Sequence, residues 1–154
     1  MTCSNVLIRN PHTVAADAPL RNAVALLRSH RIKALPVVDA RGKYLGLFGI
    51  RSLMQHILPR AATLGAAGGI ADLGFMHDSL QDVRDRYQAL LDRPVADLVD
   101  ASIPRLSEQT PLMEALLLLH RHNHLLPVVD ASGALVGIVT TWEVFSRVAF
   151  EGAE

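Results

Sequence analysis

The chain writes one phrase twice, and no other feature narrows the possible folds as much. Residues 35–53 read LPVVDARGKYLGLFGIRSL, and residues 126–144 read LPVVDASGALVGIVTTWEV. Pro36 and Pro127, Asp39 and Asp130, Gly42 and Gly133, and Gly46 and Gly137 all stand at one constant offset. An internal duplication is therefore the first constraint, ahead of any assignment of elements. Each copy reads as a short strand rich in β-branched residues, a four-residue turn ending in glycine, a second strand and then a helix.

The residues before each copy follow the same plan. Residues 4–18 form an extended lead-in with a short strand around Thr13 and Val14, and Asp17 is placed to cap the helix that follows. From Pro19 onward, Leu20, Ala23, Val24 and Leu27 fall at i, i+3, i+4 and i+7, one helical face with proline in the first turn. Strands at 35–39 and 43–48 come next, and a helix at 50–58 ends at Pro59. The second unit repeats this order: a lead-in at 95–110, a helix at 111–122, strands at 126–130 and 134–140, and a helix at 141–150. Its first helix carries Leu112, Ala115, Leu116 and Leu119 on the matching face, plus a stripe of Met113, Leu117 and His120 that a single core does not use. Such a helix is buried on two sides, either within the chain or against a second copy.

Lys plus Arg and Asp plus Glu each number 15, so the net charge is zero. A nucleic-acid or anionic-membrane surface needs an excess of basic side chains, and both classes are set aside. The lone Cys3 supports neither a disulfide framework nor a zinc spacing and is expected near a frayed terminus. No charged and apolar leader opens the sequence, and no apolar run reaches the roughly 18 residues of a membrane span, so a cytoplasmic protein is expected.

The stretch 60–93 is too long for a plain connection. Residues 78–91 are helical, with Leu80, Val83, Tyr87 and Leu90 on one face. Gly65, Gly68, Gly69 and Gly74 precede that helix without any phosphate-loop spacing, so 64–77 reads as an apolar packing or docking segment. The expected division is 1–60, an insert at 61–93, and 94–154.

The paired LPVVD-x-x-G-x-x-x-G units behind V-x-x-hydrophobic lead-ins resemble the cystathionine-β-synthase (CBS) domain family, two copies of which form a Bateman module. The resemblance covers residues 6–58 and 95–149. It implies an α/β (α+β) fold of two β-α-β-β-α units about a pseudo-twofold axis, with the insert between them. It further implies a non-enzymatic module that binds AMP, ADP or ATP, less readily S-adenosylmethionine or NAD, and reports occupancy to a regulated partner.

The family's ligand motif is G-h-h-[ST]-x-x-D, with h hydrophobic. A hydroxyl at a helix start suits phosphate, and a carboxylate one turn later can accept ribose hydroxyls. In the second unit it reads Gly137-Ile138-Val139-Thr140-Thr141-Trp142-Glu143, so Thr140 matches and Glu143 carries the right group on a stem one methylene longer. The first unit has Gly49 and Ser52 at these places, a degenerate site with Arg51 between them. The resemblance extends the ligand set to Thr141, to Ile103 and Pro104 in the second lead-in, and to the basic Lys33 and His124 before the two Leu-Pro pairs. His120 and His124 share a helical face but gain no acidic or cysteine partner, so no metal site is expected. Trp142 is placed to wall an adenine or to pack in a core or interface.

The leading expectation is a stand-alone regulatory module, forming a homodimer and binding an adenosine compound mainly through its second unit. The alternative is a ligand-free docking module whose motifs have decayed. No Ser-His-Asp, Cys-His or paired-carboxylate arrangement supports an enzyme.

Overall fold

The computed structural model describes residues 1–58, 79–122 and 125–150. The duplicated phrase forms two hairpins of identical register. β3 (Ala34–Val38) pairs antiparallel with β4 (Tyr44–Gly49), and β5 (Leu126–Val129) pairs antiparallel with β6 (Leu135–Val139). Leu35 faces Phe48 as Leu126 faces Val139, and Val37 faces Gly46 as Val128 faces Gly137, with one register shift following in each. The turns explain the repeated Asp and Gly. Asp39 Oδ1 accepts the N–H groups of Arg41 and Lys43, Asp130 Oδ1 accepts those of Ser132 and Ala134, and Gly42 and Gly133 adopt φ values of +78° and +85°.

The lead-ins do not stay with their own units. β1 (Ile8–Arg9) pairs antiparallel with β6, while β2 (Val14–Ala15), a few residues on, pairs parallel with β3. The second lead-in mirrors this, with Asp100 bridging Leu47 of the first unit and Leu106 bridging Val128 of its own. Two three-stranded sheets result, ordered β1-β6-β5 and β2-β3-β4. Gly46 and Gly137 permit the crossing: a Cβ on Gly46 would stand 2.6 Å from the Asp100 carbonyl oxygen, and one on Gly137 would meet the carbonyl of Ile8.

α1 (Leu20–His30) buries Leu20, Ala23 and Leu27, and α4 (Leu112–His122) buries Leu112, Ala115 and Leu119 at the same spacing. α1 starts from Pro19 without a side-chain cap, so the capping role expected of Asp17 is not taken up. α2 (Ile50–Ile57) and α5 (Thr141–Phe150) close the two units. Between them lies α3 (Leu80–Leu90), whose first turn is held by a reciprocal pair: Asp82 accepts the Ser79 N–H at 2.7 Å, and Ser79 Oγ accepts the Asp82 N–H at 3.3 Å. The expected packing or docking segment at 64–77 lies outside the described residues.

Two apolar cores follow the crossing. The first-unit core of Leu20, Leu35, Val37 and Phe48 takes in Val95 and Leu98 of the second lead-in. The second-unit core of Leu112, Leu126, Val128 and Val139 takes in Cys3 and Val6 of the first lead-in and Tyr44 and Leu47 of the first hairpin. Cys3 is therefore fully buried, against the expectation of a frayed end, because a 3-10 turn at Cys3–Asn5 is tied to residues before α4: Cys3 N–H donates to Thr110 O at 2.9 Å. Burial, with Glu114 adding to it, pushes the Cys3 thiol above its ordinary range.

Candidate functional site

In each unit the candidate site falls at the junction where the second strand gives way to the closing helix. In the second unit Thr140 stands between β6 and α5, half-buried, and its Oγ1 accepts the Glu143 N–H at 3.4 Å. Thr140 thus caps α5 and holds a hydroxyl at the positive end of the helix. Glu143 is half-buried one turn later, and Thr141 and Trp142 are exposed.

The first unit meets the same positions with different chemistry. Ile50 N–H donates to the Lys33 carbonyl at 3.0 Å, and a Cβ on Gly49 would lie 2.6 Å from that oxygen. A threonine at position 49 would need the backbone to move. Ser52 is buried to 9% exposure and lines a recess with Ala34, Leu47, Gly49, Asp100 and Ile103. The volume of that recess is about 20 Å³, room for one ordered water. Ligand pockets run from about 300 Å³ upward.

The residues expected to form one site fall in two places. Thr140, Thr141 and Glu143 lie at the junction of β6 and α5. Ile103 lines the first recess, Lys33 borders it through its carbonyl, and Pro104 follows Ile103 half-buried on the same lead-in. The crossed lead-ins are the physical reason, since the strand run before Ile103 is seated on β4. His124 lies outside the described residues. The counterparts of Ile103 and Pro104 in the first lead-in are Pro11 and His12, because Val14 on Val37 matches Leu106 on Val128 in each lead-in's anchoring. No local signal marks this exchange beyond Gly46 and Gly137, which sit where a strand must approach closely. The His12 ring stacks on His30 at the end of α1, centroids 3.6 Å apart, and so ties the crossing segment to the first unit.

At the second unit's core, the Arg105 guanidinium lies 5.1 Å from the centre of the Tyr44 ring. The buried Tyr44 hydroxyl has no hydrogen-bond partner, and burial pushes its phenol well above the usual range, with Arg105 opposing and Asp100 reinforcing the shift. Among the described residues no three His, Cys, Asp or Glu side chains are grouped to hold a metal ion, and no helix is long and apolar enough to cross a membrane.

A duplicated hairpin-and-helix unit with exchanged lead-ins defines a tandem module of paired α/β halves. The CBS domain model matches residues 3–59 and 95–149, and the chain belongs to the CBS domain family. It is 30% identical over 139 residues to the chloroplastic CBS domain-containing protein CBSX1 of Arabidopsis thaliana, covering 86% of this chain and 57% of that protein. It is 27% identical over 150 residues to inosine-5'-monophosphate dehydrogenase of Nitrosopumilus maritimus, covering 97% of this chain and 25% of that enzyme. The chain thus spans a quarter to somewhat over half of these curated relatives. Among solved structures, CBSX2 in complex with AMP superposes with a TM-score of 0.69 at 24% identity, covering 96% of this chain and 95% of that one. A conserved protein of Geobacillus kaustophilus gives 0.73 at 24% identity, covering 96% of both chains. These likenesses bear out the family and the fold expected from the repeated phrase.

Proposed function

We propose that this chain is a regulatory module that binds one adenine nucleotide, of the AMP, ADP or ATP type, in its second cleft and signals occupancy to a partner protein. One observation carries the reading: Thr140 places a hydroxyl at the start of α5 with Glu143 one turn below, whereas Gly49 and Ser52 supply no carboxylate in a recess the size of a single water. The solved complex of CBSX2 with AMP supports this ligand class. In this reading Thr140 and Thr141 meet phosphate, Glu143 accepts the ribose hydroxyls, His124 adds positive charge, and the wall is completed by Pro11 and His12. Ile103, Pro104 and Lys33 serve the first recess. The module is non-catalytic, works in the cytoplasm, and pairs as a homodimer through the exposed Met113 and Leu117 stripe together with the second helices, where Ile50, Met54, Trp142 and Phe145 are exposed.

Titration calorimetry tests the site. One nucleotide per chain is expected, and Glu143→Ala weakens binding about ten- to a hundredfold, the equivalent of roughly 1.5–3 kcal/mol for a charge-assisted hydrogen bond. Ser52→Ala leaves binding unchanged. Two equal sites, or equal losses, would place the ligand elsewhere. No heat with AMP, ADP or ATP would favour the second reading, a ligand-free docking module, which the one-water size of the first recess supports.

A further inference from the structure

A net charge of zero conceals an uneven division. Residues 1–58 hold eight Lys or Arg against two Asp or Glu, and residues 59–154 hold seven against thirteen. The chain is therefore an electric dipole whose positive half is the first repeat. The fold gathers that excess at one end of the first unit. Arg28 lies in the last turn of α1, Arg31 caps it, and Lys33 follows at the corner into β3. The Lys33 carbonyl accepts the Ile50 N–H at 3.0 Å, which brings Arg51, in the first turn of α2, to the same end. Both acids lie at the opposite end: Asp39 follows β3, and Ala16, beside Asp17, donates its N–H to Val38 O at 3.0 Å.

The second unit does not repeat this cluster. Leu119, His122, His124 and Trp142 occupy the four matching positions of the sequence. Arg121, in the last turn of α4, and Glu143, in the first turn of α5, balance each other at that end. The duplication thus keeps the backbone of the corner and changes its charge.

Resting on the homodimer reading, we propose that the two copies pair head to tail, the first unit of one against the second unit of its partner. A twofold pair of duplicated chains closes in two ways, with like units together or with unlike units together. Both cover the same helix faces, and burial of apolar surface has no direction, so it does not choose between them. Charge does. With like units together, Arg28, Arg31, Lys33 and Arg51 meet their own copies, and like charges set face to face oppose association. With unlike units together, the same four side chains meet the balanced end of the second unit. The positive half of each chain then lies along the negative half of the other.

Cross-linking reads the orientation. Met54→Cys on α2 and Phe145→Cys on α5 stand at matching positions of the two repeats, both exposed. The two single variants are mixed and treated with a short bismaleimide, and the linked peptides are identified by mass. The natural chain, whose Cys3 is buried, is the control for background reaction. Links between position 54 of one chain and position 145 of the other are expected to exceed 54–54 and 145–145 links about tenfold. Light scattering verifies that each variant still dimerises. A second measurement uses the natural chain alone: raising NaCl from about 0.05 M to about 0.5 M screens the attraction and is expected to weaken the dimer about tenfold. Self-links equal to or above the mixed links, or a dimer that tightens with salt, would overturn the orientation and leave the homodimer standing. A natural chain that stays monomeric up to about 100 µM would remove both.

Discussion

The N–H of Tyr44 donates to the carbonyl of Gly133 at 3.0 Å, joining the tip of the first hairpin to the tip of the second. The reciprocal bond, Leu135 N–H to Gly42 O, is 3.1 Å. Each glycine thus turns its own hairpin and offers its carbonyl to the other. This contact carries the Tyr44 ring across the boundary into the second unit's core, where its hydroxyl is left unpaired.

Removing that hydroxyl should therefore cost nothing. An unpaired buried polar group is a net penalty of about 1–3 kcal/mol. Tyr44→Phe is expected to leave the urea midpoint unchanged or raise it, whereas Tyr44→Ala should lose roughly 3–5 kcal/mol through the cavity it opens. A clear loss of stability in Tyr44→Phe would mean that the hydroxyl has a partner.

The crossing of β1 onto β6 depends on Gly137. An alanine there sets its Cβ against the Ile8 carbonyl, and overpacking of this kind costs about 1–3 kcal/mol. Gly137→Ala should lower the melting temperature and speed hydrogen exchange at Ile8 and Arg9 ahead of the hairpin amides. Uniform exchange throughout would show that β1 is not the element displaced.

For assembly, Trp142 and Phe145 lie with ring centres 6.3 Å apart on the exposed side of α5. Phe145→Glu would leave a desolvated, unpaired carboxylate at the proposed homodimer interface. Light scattering is expected to report a dimer for the natural chain and a monomer for the variant. A natural chain that is monomeric at about 10–100 µM would remove this interface.

Acid stability has a definite sign. Lys43 and Arg41 N–H groups hold the Asp39 carboxyl below its usual range, and the Ser132 hydroxyl with the Ala134 and Ser132 N–H groups does the same for Asp130. Both folded values lie below the unfolded one, so their contribution is complete above about pH 4 and is lost as pH falls through the lowered values. Melting temperature should drop between about pH 5 and pH 2, and the Asp39→Asn/Asp130→Asn double variant should drop less. Asp82, lowered by Ser79, keeps part of the slope in that variant.

Much of this was legible in the residues. Hairpins, turns and the four helices of the units follow from periods of two and about 3.6 residues and from Asp and Gly at the turns, all of which are local. The pairing partner of a lead-in is not local. Residues 4–18 and 95–110 carry the same hydrophobic spacing, and nothing within either states which sheet it joins, so the sequence does not show that Ile103 lines the recess beside Ser52. Burial of Cys3 was hidden for the same reason, since its neighbours Leu112 and Ala115 lie across that exchange. At the cleft itself, Thr140 could be picked out by chemistry because a hydroxyl at a helix start has one obvious use. That Gly49 is pressed against the Lys33 carbonyl could not, because it depends on a backbone contact between two strand ends.

Exchanged lead-ins also decide how the molecule comes apart. Ile8 pairs with Ile138 and Leu47 with Asp100, so neither half holds a complete sheet edge or a complete core once the other is gone. A sequence that divides cleanly into two repeats thus makes one thermodynamic unit. Calorimetry should find a single transition whose van't Hoff and calorimetric enthalpies agree, reached slowly because its decisive contacts join nearly opposite ends of the chain.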